Sequence, residues 1–167
     1  MVTVSLVVDD ADWGGALDNW LVLAHLEGVN ANLEGAKLIQ RKTRSLLSRY
    51  HHRPLSSTPS PIGEPPAMIS GRLAASVMAE QDGDDAVVGP TEWASSTNGP
   101  YGRFLELGGV HKGDMWWWED GYWHNAQELE KLPRPFLKPA TDDAIKSGEL
   151  TEIYWRRWLI AQQMATS

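Results

Sequence analysis

The chain has 167 residues, 42% apolar and 22% charged, with no cysteine and a formal net charge of −7. That length and balance fit one globular domain, and the lack of cysteine excludes disulfides, thiol catalysis and Cys-ligated zinc. The negative balance argues against general wrapping of nucleic acid. Residues 1–10 lack the basic start of a secretory signal, and no apolar run approaches the roughly 20 residues that cross a bilayer.

Residues 1–15 read as an N-terminal arm or strand, because Val2, Val4, Leu6 and Val8 alternate with Thr3, Ser5 and Val7. A helical region follows over 16–52, with a pause at Gly28-Val29-Asn30, where Asn30 suits the N-cap of a second helix. In that helix Leu33, Ala36, Ile39 or Gln40, Thr43, Leu47 and Tyr50 recur at three- and four-residue spacing, predicting one buried stripe. Lys37, Arg41, Lys42, Arg44, Arg49 and Arg53 crowd its remaining surface. Residues 53–68 carry five prolines among serines and a glycine, which neither a helix nor a central strand survives.

Short strands are expected over 69–131. Leu73–Met78 is one, ambiguous with a helical turn, and Ala86–Val88 is another, closed by Gly89-Pro90. Tyr101–Leu107 ("YGRFLEL") reads as an alternating strand. Met115–Trp118 and Tyr122–His124 flank Glu119-Asp120-Gly121, a hairpin turn with glycine where positive φ is needed. Residues 132–167 begin with a proline-locked segment and end in a helix from about Ala140 to Gln163, broken at Gly148. Its Leu150, Ile153, Tyr154, Trp158 and Leu159 are assigned to the side turned from water. No internal repeat is visible. Helices flanking a meander of strands make this an α+β domain: a small, mostly antiparallel sheet packed on a long N-terminal helix and a C-terminal helix, with a Trp-rich hairpin.

Three elements carry a resemblance. The run Gly63-Glu64-Pro65-Pro66-Ala67-Met68-Ile69-Ser70-Gly71-Arg72-Leu73-Ala74-Ala75-Ser76-Val77, then Tyr101-Gly102-Arg103-Phe104-Leu105-Glu106-Leu107-Gly108, then Arg134-Pro135-Phe136-Leu137-Lys138-Pro139-Ala140 are similar, in order, to motifs of the tail-component proteins of long-tailed double-stranded DNA phages. These are also called neck or tail-completion proteins. The resemblance spans roughly residues 30–163. The chain departs from it in the long aromatic segment 115–124 and in Leu107, where an aromatic is usual. It implies a virion structural protein of the head–tail joint, built in the host cytoplasm, forming a ring expected to be hexameric. Head connector or stopper proteins and the tail terminator or tail tube are the implied neighbours. It implies no enzyme and no cofactor. A tail-terminator ring is the alternative within that class, and a carbohydrate-binding module using the hairpin is the alternative outside it.

The motif residues fit a structural role. Ser70 can bond a nearby amide beside the turn at Gly71, and Leu73 opens a buried face. Pro135 and Pro139 preset φ so that Phe136 and Leu137 reach the core at little entropy cost, with Pro139 in the first turn of a helix. Glu106 lies between Leu105 and Leu107 without a partner carboxylate at a recognisable spacing. A sheet-surface or inter-subunit salt bridge is therefore preferred over a general acid. His51, His52, His111, Asp114 and His124 match no compact metal motif. Ser56, Ser57 and Ser60 lack nucleophile-elbow glycines, and no phosphate-cradling glycine loop is present.

Two surfaces stand out as interface candidates. Six of the fifteen basic residues fall between Lys37 and Arg53. Arg41, Arg44 and Arg49 are assigned to a belt pairing with acidic residues of a neighbouring subunit, in preference to passive contact with DNA in a channel, because a channel for sliding DNA should not grip phosphates. Four of nine tryptophans fall between Met115 and Trp123. Glu119 and Asp120 at the tip argue against a membrane patch, which needs basic flanks. Alternation puts Trp116 and Trp118 on one strand face and Trp117 on the other. With Tyr122 and Trp123, they are expected to pack on the chain's own helices on one side and on a neighbour on the other.

Overall fold

The computed structural model describes residues 10–51, 60–68, 70–91, 101–119 and 121–166, so the alternating segment 1–9 and Arg53 lie outside the described residues. The fold is α+β. Helix α1 (Asp10–Leu47) runs without a break, correcting both the arm assigned to residues 10–15 and the pause at Gly28–Asn30. Asn30 is no cap; its Nδ2 donates to Glu27 one turn back. The physical reason for continuity is tertiary. Ala24, Gly28, Ala31 and Gly35 form a stripe of small residues along one face, and α5 (Glu149–Ala165) crosses there. A Cβ added to buried Gly35 would stand 3.0 Å from Leu150 Cδ2, so packing outweighs the helix penalty of about 1 kcal/mol for glycine.

Helix α1 is the spine, with two layers against it. One side carries α4 (Leu137–Lys146) and α5, closing Ala31, Leu38, Ala144 and Ile153 into a first core, with Ile39 and Leu150 packed on it. The other side carries the antiparallel ribbon of β1 (Val77–Asp82) and β2 (Asp85–Pro90), which follows the short α2 (Arg72–Ser76). There Leu47, Val77 and Phe136 form the second core, flanked by Leu73, Ala74, Val88, Leu105 and Leu137. The single stripe expected from Leu33 to Tyr50 is in fact two. Ala31, Gly35 and Leu38 face the C-terminal helices, while Ala36, Gln40, Thr43 and Leu47 turn toward the ribbon and the second core. Leu33 and Tyr50 are only half-buried.

Tyr101–Leu107 is helix α3 and not a strand. Tyr101, Phe104 and Leu105 fall at the i, i+3, i+4 spacing of a helix, while Tyr101, Leu105 and Leu107 also fit alternation, and seven residues are too few to separate the two. The strands β3 (Gly109–Glu119) and β4 (Tyr122–Lys131) form the expected antiparallel hairpin, longer than its aromatic tip, with a register shift between Lys112 and Met115 and Gly121 at φ 89°. The strands make two separate ribbons, not one sheet. Among the described residues, the extensive contacts of β3 and β4 are with each other.

The C-terminal helix is broken as expected, into α4 and α5, by Gly148 at φ 78°, a conformation that costs a glycine nothing. Only Ile153 and Leu150 of the expected apolar side turn inward. Tyr154, Trp158 and Leu159 remain substantially exposed, and so does Trp155.

Candidate functional site

The three motif segments, far apart in sequence, meet in space. Phe136 is fully buried in a cluster with Leu47 and Val77, on which Leu73 of α2 and Leu105 of α3 pack. Glu106 does not reach outward for a neighbour. Its Oε2 accepts from the backbone N–H of Phe136 (2.7 Å) and Leu137 (3.0 Å), and its Oε1 from that of Lys138 (2.8 Å). These are orphan donors at the start of α4, which has no side-chain cap of its own, and a carboxylate there also meets the positive end of the helix dipole. The salt-bridge role assigned to Glu106 is thereby corrected to a cap supplied from another helix. Arg134 completes the joint: its backbone N–H donates to Leu105 O at 2.6 Å, and its Nη1 donates to Ser60 O at 2.7 Å and Ser60 Oγ at 2.6 Å. Pro139 sits in the first turn of α4, and Ser70 Oγ accepts weakly from Arg72 N at 3.4 Å. Gly71 and Gly108 turn the chain at φ 73° and 67°, ahead of α2 and after α3, while Tyr101 opens α3.

The basic stretch divides. Arg44 lies along α2 and β1, its Nη2 donating to Val77 O at 2.7 Å and Ala75 O at 3.4 Å. Lys42 Nζ is 2.6 Å from both Asp143 and Glu149, and the hydrogen bonds it donates to Asp143 and then to Glu149 raise its pKa. Arg49 lies 3.5 Å from Glu64 and 5.5 Å from the Tyr50 ring centre. Arg44 is thus engaged within this chain's own fold, while Arg49 stays exposed beside its partner Glu64. Arg41 and Lys37 stay exposed. The missed signal was the acidic spacing in the C-terminal half, since Asp143 and Glu149 are the partners that hold Lys42.

Two aromatic surfaces remain. On the hairpin, Trp116 pairs in register with Asn125, and Trp118 with Trp123, so Trp116 and Trp123 share a face; they are 65% and 64% exposed. Tyr122 is exposed on the opposite face, its ring 4.6 Å from that of His124. The side chains of Trp117 and Trp118 lie outside the described residues. The second surface was not anticipated: a groove of about 430 Å³ between α1 and α5. Its floor is Ala24, Gly28 and Ala31, and its wall is Tyr154, Trp155 and Trp158. The two indoles stack at 5.1 Å, and a Cβ on Gly28 would touch nothing.

The groove's charged edge is satisfied. Arg157 bonds Glu27 (3.1 Å) and Glu34 (2.9 Å), and Arg156 also bonds Glu34. Burial works against the Glu34 carboxylate, but the bonds from Arg157 and Arg156 outweigh it and hold its pKa below the ordinary value. Glu34 and Glu27 in turn raise that of Arg157. Tyr154 donates to Asn32 Oδ1 at 2.6 Å. The surface offered to an occupant is therefore apolar.

Among the described residues, no three His, Asp or Glu side chains gather to hold a metal ion. Asp114 accepts from Gln127, His51 bridges to Met68, and His52 lies outside the described residues, as does the side chain of His111. No described helix is long and apolar enough to cross a membrane.

Protein-family models, curated proteins and solved structures give no match to this chain.

Proposed function

We propose that the chain is a virion structural protein of the head–tail joint of a long-tailed double-stranded DNA phage, acting by assembling into a ring between the head connector and the tail tube. The observation that carries this is the convergence of the three motif segments. Residues that resemble the phage tail-component motifs do not scatter over the molecule. Glu106 from the second motif caps the helix opened by the third, and Leu73 from the first packs on the core cluster that includes Phe136. A chance likeness in three short runs would have no reason to build one joint.

The exposed aromatic hairpin adds support of a different kind. Trp and Tyr are enriched in protein interfaces, and a projecting hairpin with aromatic residues on both faces suits a part that is completed by its neighbours. The proposed role is mechanical: a rigid domain with an interface at each side, and no bond made or broken.

The test is the assembly state of the purified full chain. Sedimentation velocity and negative-stain electron microscopy should show closed rings, or incorporation into isolated tails or heads that lack this component. A chain that stays monomeric at high concentration, fails to join such particles and binds glycans through the hairpin would overturn the proposal in favour of a carbohydrate-binding module.

A further inference from the structure

The geometry points to a specific contact within that ring: the β3–β4 hairpin of one copy lies in the α1–α5 groove of the next. This rests on the ring-forming role proposed above and goes further by naming the two surfaces that meet.

Both surfaces belong to the same chain and match in chemistry and shape. The hairpin is a ridge. Its strands of ten and eleven residues reach roughly 33 Å at about 3.3 Å per residue, and its aromatic positions cluster at the tip end, with exposed Asp114, Glu128 and Glu130 toward the base. The groove is concave, floored by small residues and walled by Trp155 and Trp158, which are 59% and 41% exposed. With Glu27, Glu34 and Arg157 already paired, it offers no unsatisfied charge to a polar occupant.

Areas decide whether this can hold. An aromatic side chain contributes ~150–250 Å², so Trp116 and Trp123 with Tyr154, Trp155 and Trp158, each about half exposed, supply roughly 500–600 Å². Leu17 and Leu21, about half exposed, continue the groove's face along α1, one and two turns before Ala24, and Leu159 flanks Trp155 one turn on. Together these approach the roughly 1,000 Å² that a specific interface must bury. Copies that each carry a net charge of −7 repel one another, so an apolar contact suits their association better than an ionic one. The ridge and the groove are different surfaces, so their pairing is head-to-tail. Such a contact closes into a ring when the rotation allows.

Because the chain contains no cysteine, introduced thiols report the contact cleanly. Asn125→Cys lies on the Trp116 and Trp123 face of the hairpin, and Thr151→Cys lines the groove; both positions are exposed. The two full-length variants are mixed under conditions where the wild type self-associates, then oxidised. The expected product is the mixed Asn125→Cys–Thr151→Cys dimer, several-fold over either like-with-like dimer. Gly28→Leu, which fills the groove from a position where an added Cβ meets no atom within 4 Å, should abolish that cross-link and lower self-association at least tenfold without lowering the subunit's Tm. Predominant Thr151→Cys homodimers would mean that groove meets groove, which overturns the hairpin contact. Self-association that persists in Gly28→Leu would also overturn it while leaving the ring role standing. A wild type that never self-associates overturns the ring role itself.

Discussion

Replacing Glu106 by Gln tests the joint on which the motif segments converge. The carboxylate receives three backbone N–H groups at 2.7, 3.0 and 2.8 Å, two on Oε2 and one on Oε1. Gln keeps the length, but one of its two termini becomes an NH₂ that faces a donor. At least one amide then loses its acceptor, and the helix end loses its negative charge. Losing a cap costs about 0.5–2 kcal/mol, and a hydrogen bond to a charged group contributes about 1.5–3 kcal/mol. Glu106 is only half-buried, so water can replace part of this, and a net loss of about 2–3 kcal/mol is expected. For a chain of this size that corresponds to a fall in Tm of roughly 5–10 °C, measured by thermal unfolding of the subunit under non-associating conditions. Glu106→Ala should fall as far or further, since it leaves all three donors bare. A Glu106→Gln subunit that melts within about 1 °C of wild type while its assembly fails would refute the capping role and restore an inter-subunit one.

Three further outcomes follow from the same structure. Arg44→Glu should destabilise the free subunit by about 2–4 kcal/mol, because it replaces the donor to Val77 O and Ala75 O with a carboxylate, whereas exposed Arg41→Glu should stay within about 0.5 kcal/mol; urea denaturation of each separates a structural from an interfacial role. Phe136→Ala opens a cavity at a fully buried position shared with Leu47 and Val77 and should cost about 3–5 kcal/mol, read as loss of soluble protein or of a cooperative melt. Glu34 is held below its ordinary value of 4.5, so as pH falls the unfolded chain takes up its proton first, and the stabilisation present above that pH is lost as pH drops through the folded value. The stability difference between wild type and Glu34→Gln, followed by urea midpoints from pH ~7 to ~3, should therefore shrink below pH ~4.5, and a difference flat across that range would contradict the pairing with Arg157 and Arg156.

Local chemistry was legible where a residue's own backbone constraints decide the outcome. Gly121 at a hairpin turn, Gly148 between two helices, and Pro135 and Pro139 delivering Phe136 to the core are written in the chain, because φ is restricted before any tertiary contact forms. The α+β class followed in the same way from long periodic helices flanking short alternating runs. What only tertiary structure decided are the choices between states close in local energy. Gly28 and Asn30 look like a helix end, yet α1 runs through them and packs closely on α5 one to two turns further on, at Gly35. Tyr101–Leu107 alternates like a strand, yet it coils so that Glu106 can reach the amides of Phe136, Leu137 and Lys138, thirty or so residues on. Arg44 looks like a surface cation until β1 brings Val77 O within 2.7 Å of it. The aromatic groove has no sequence signature at all, because Gly28 and Trp158 become neighbours only when α5 folds back antiparallel on α1. Periodicity records which face of an element is apolar. Which partner covers that face, and whether any does, depends on contacts between residues far apart in the chain.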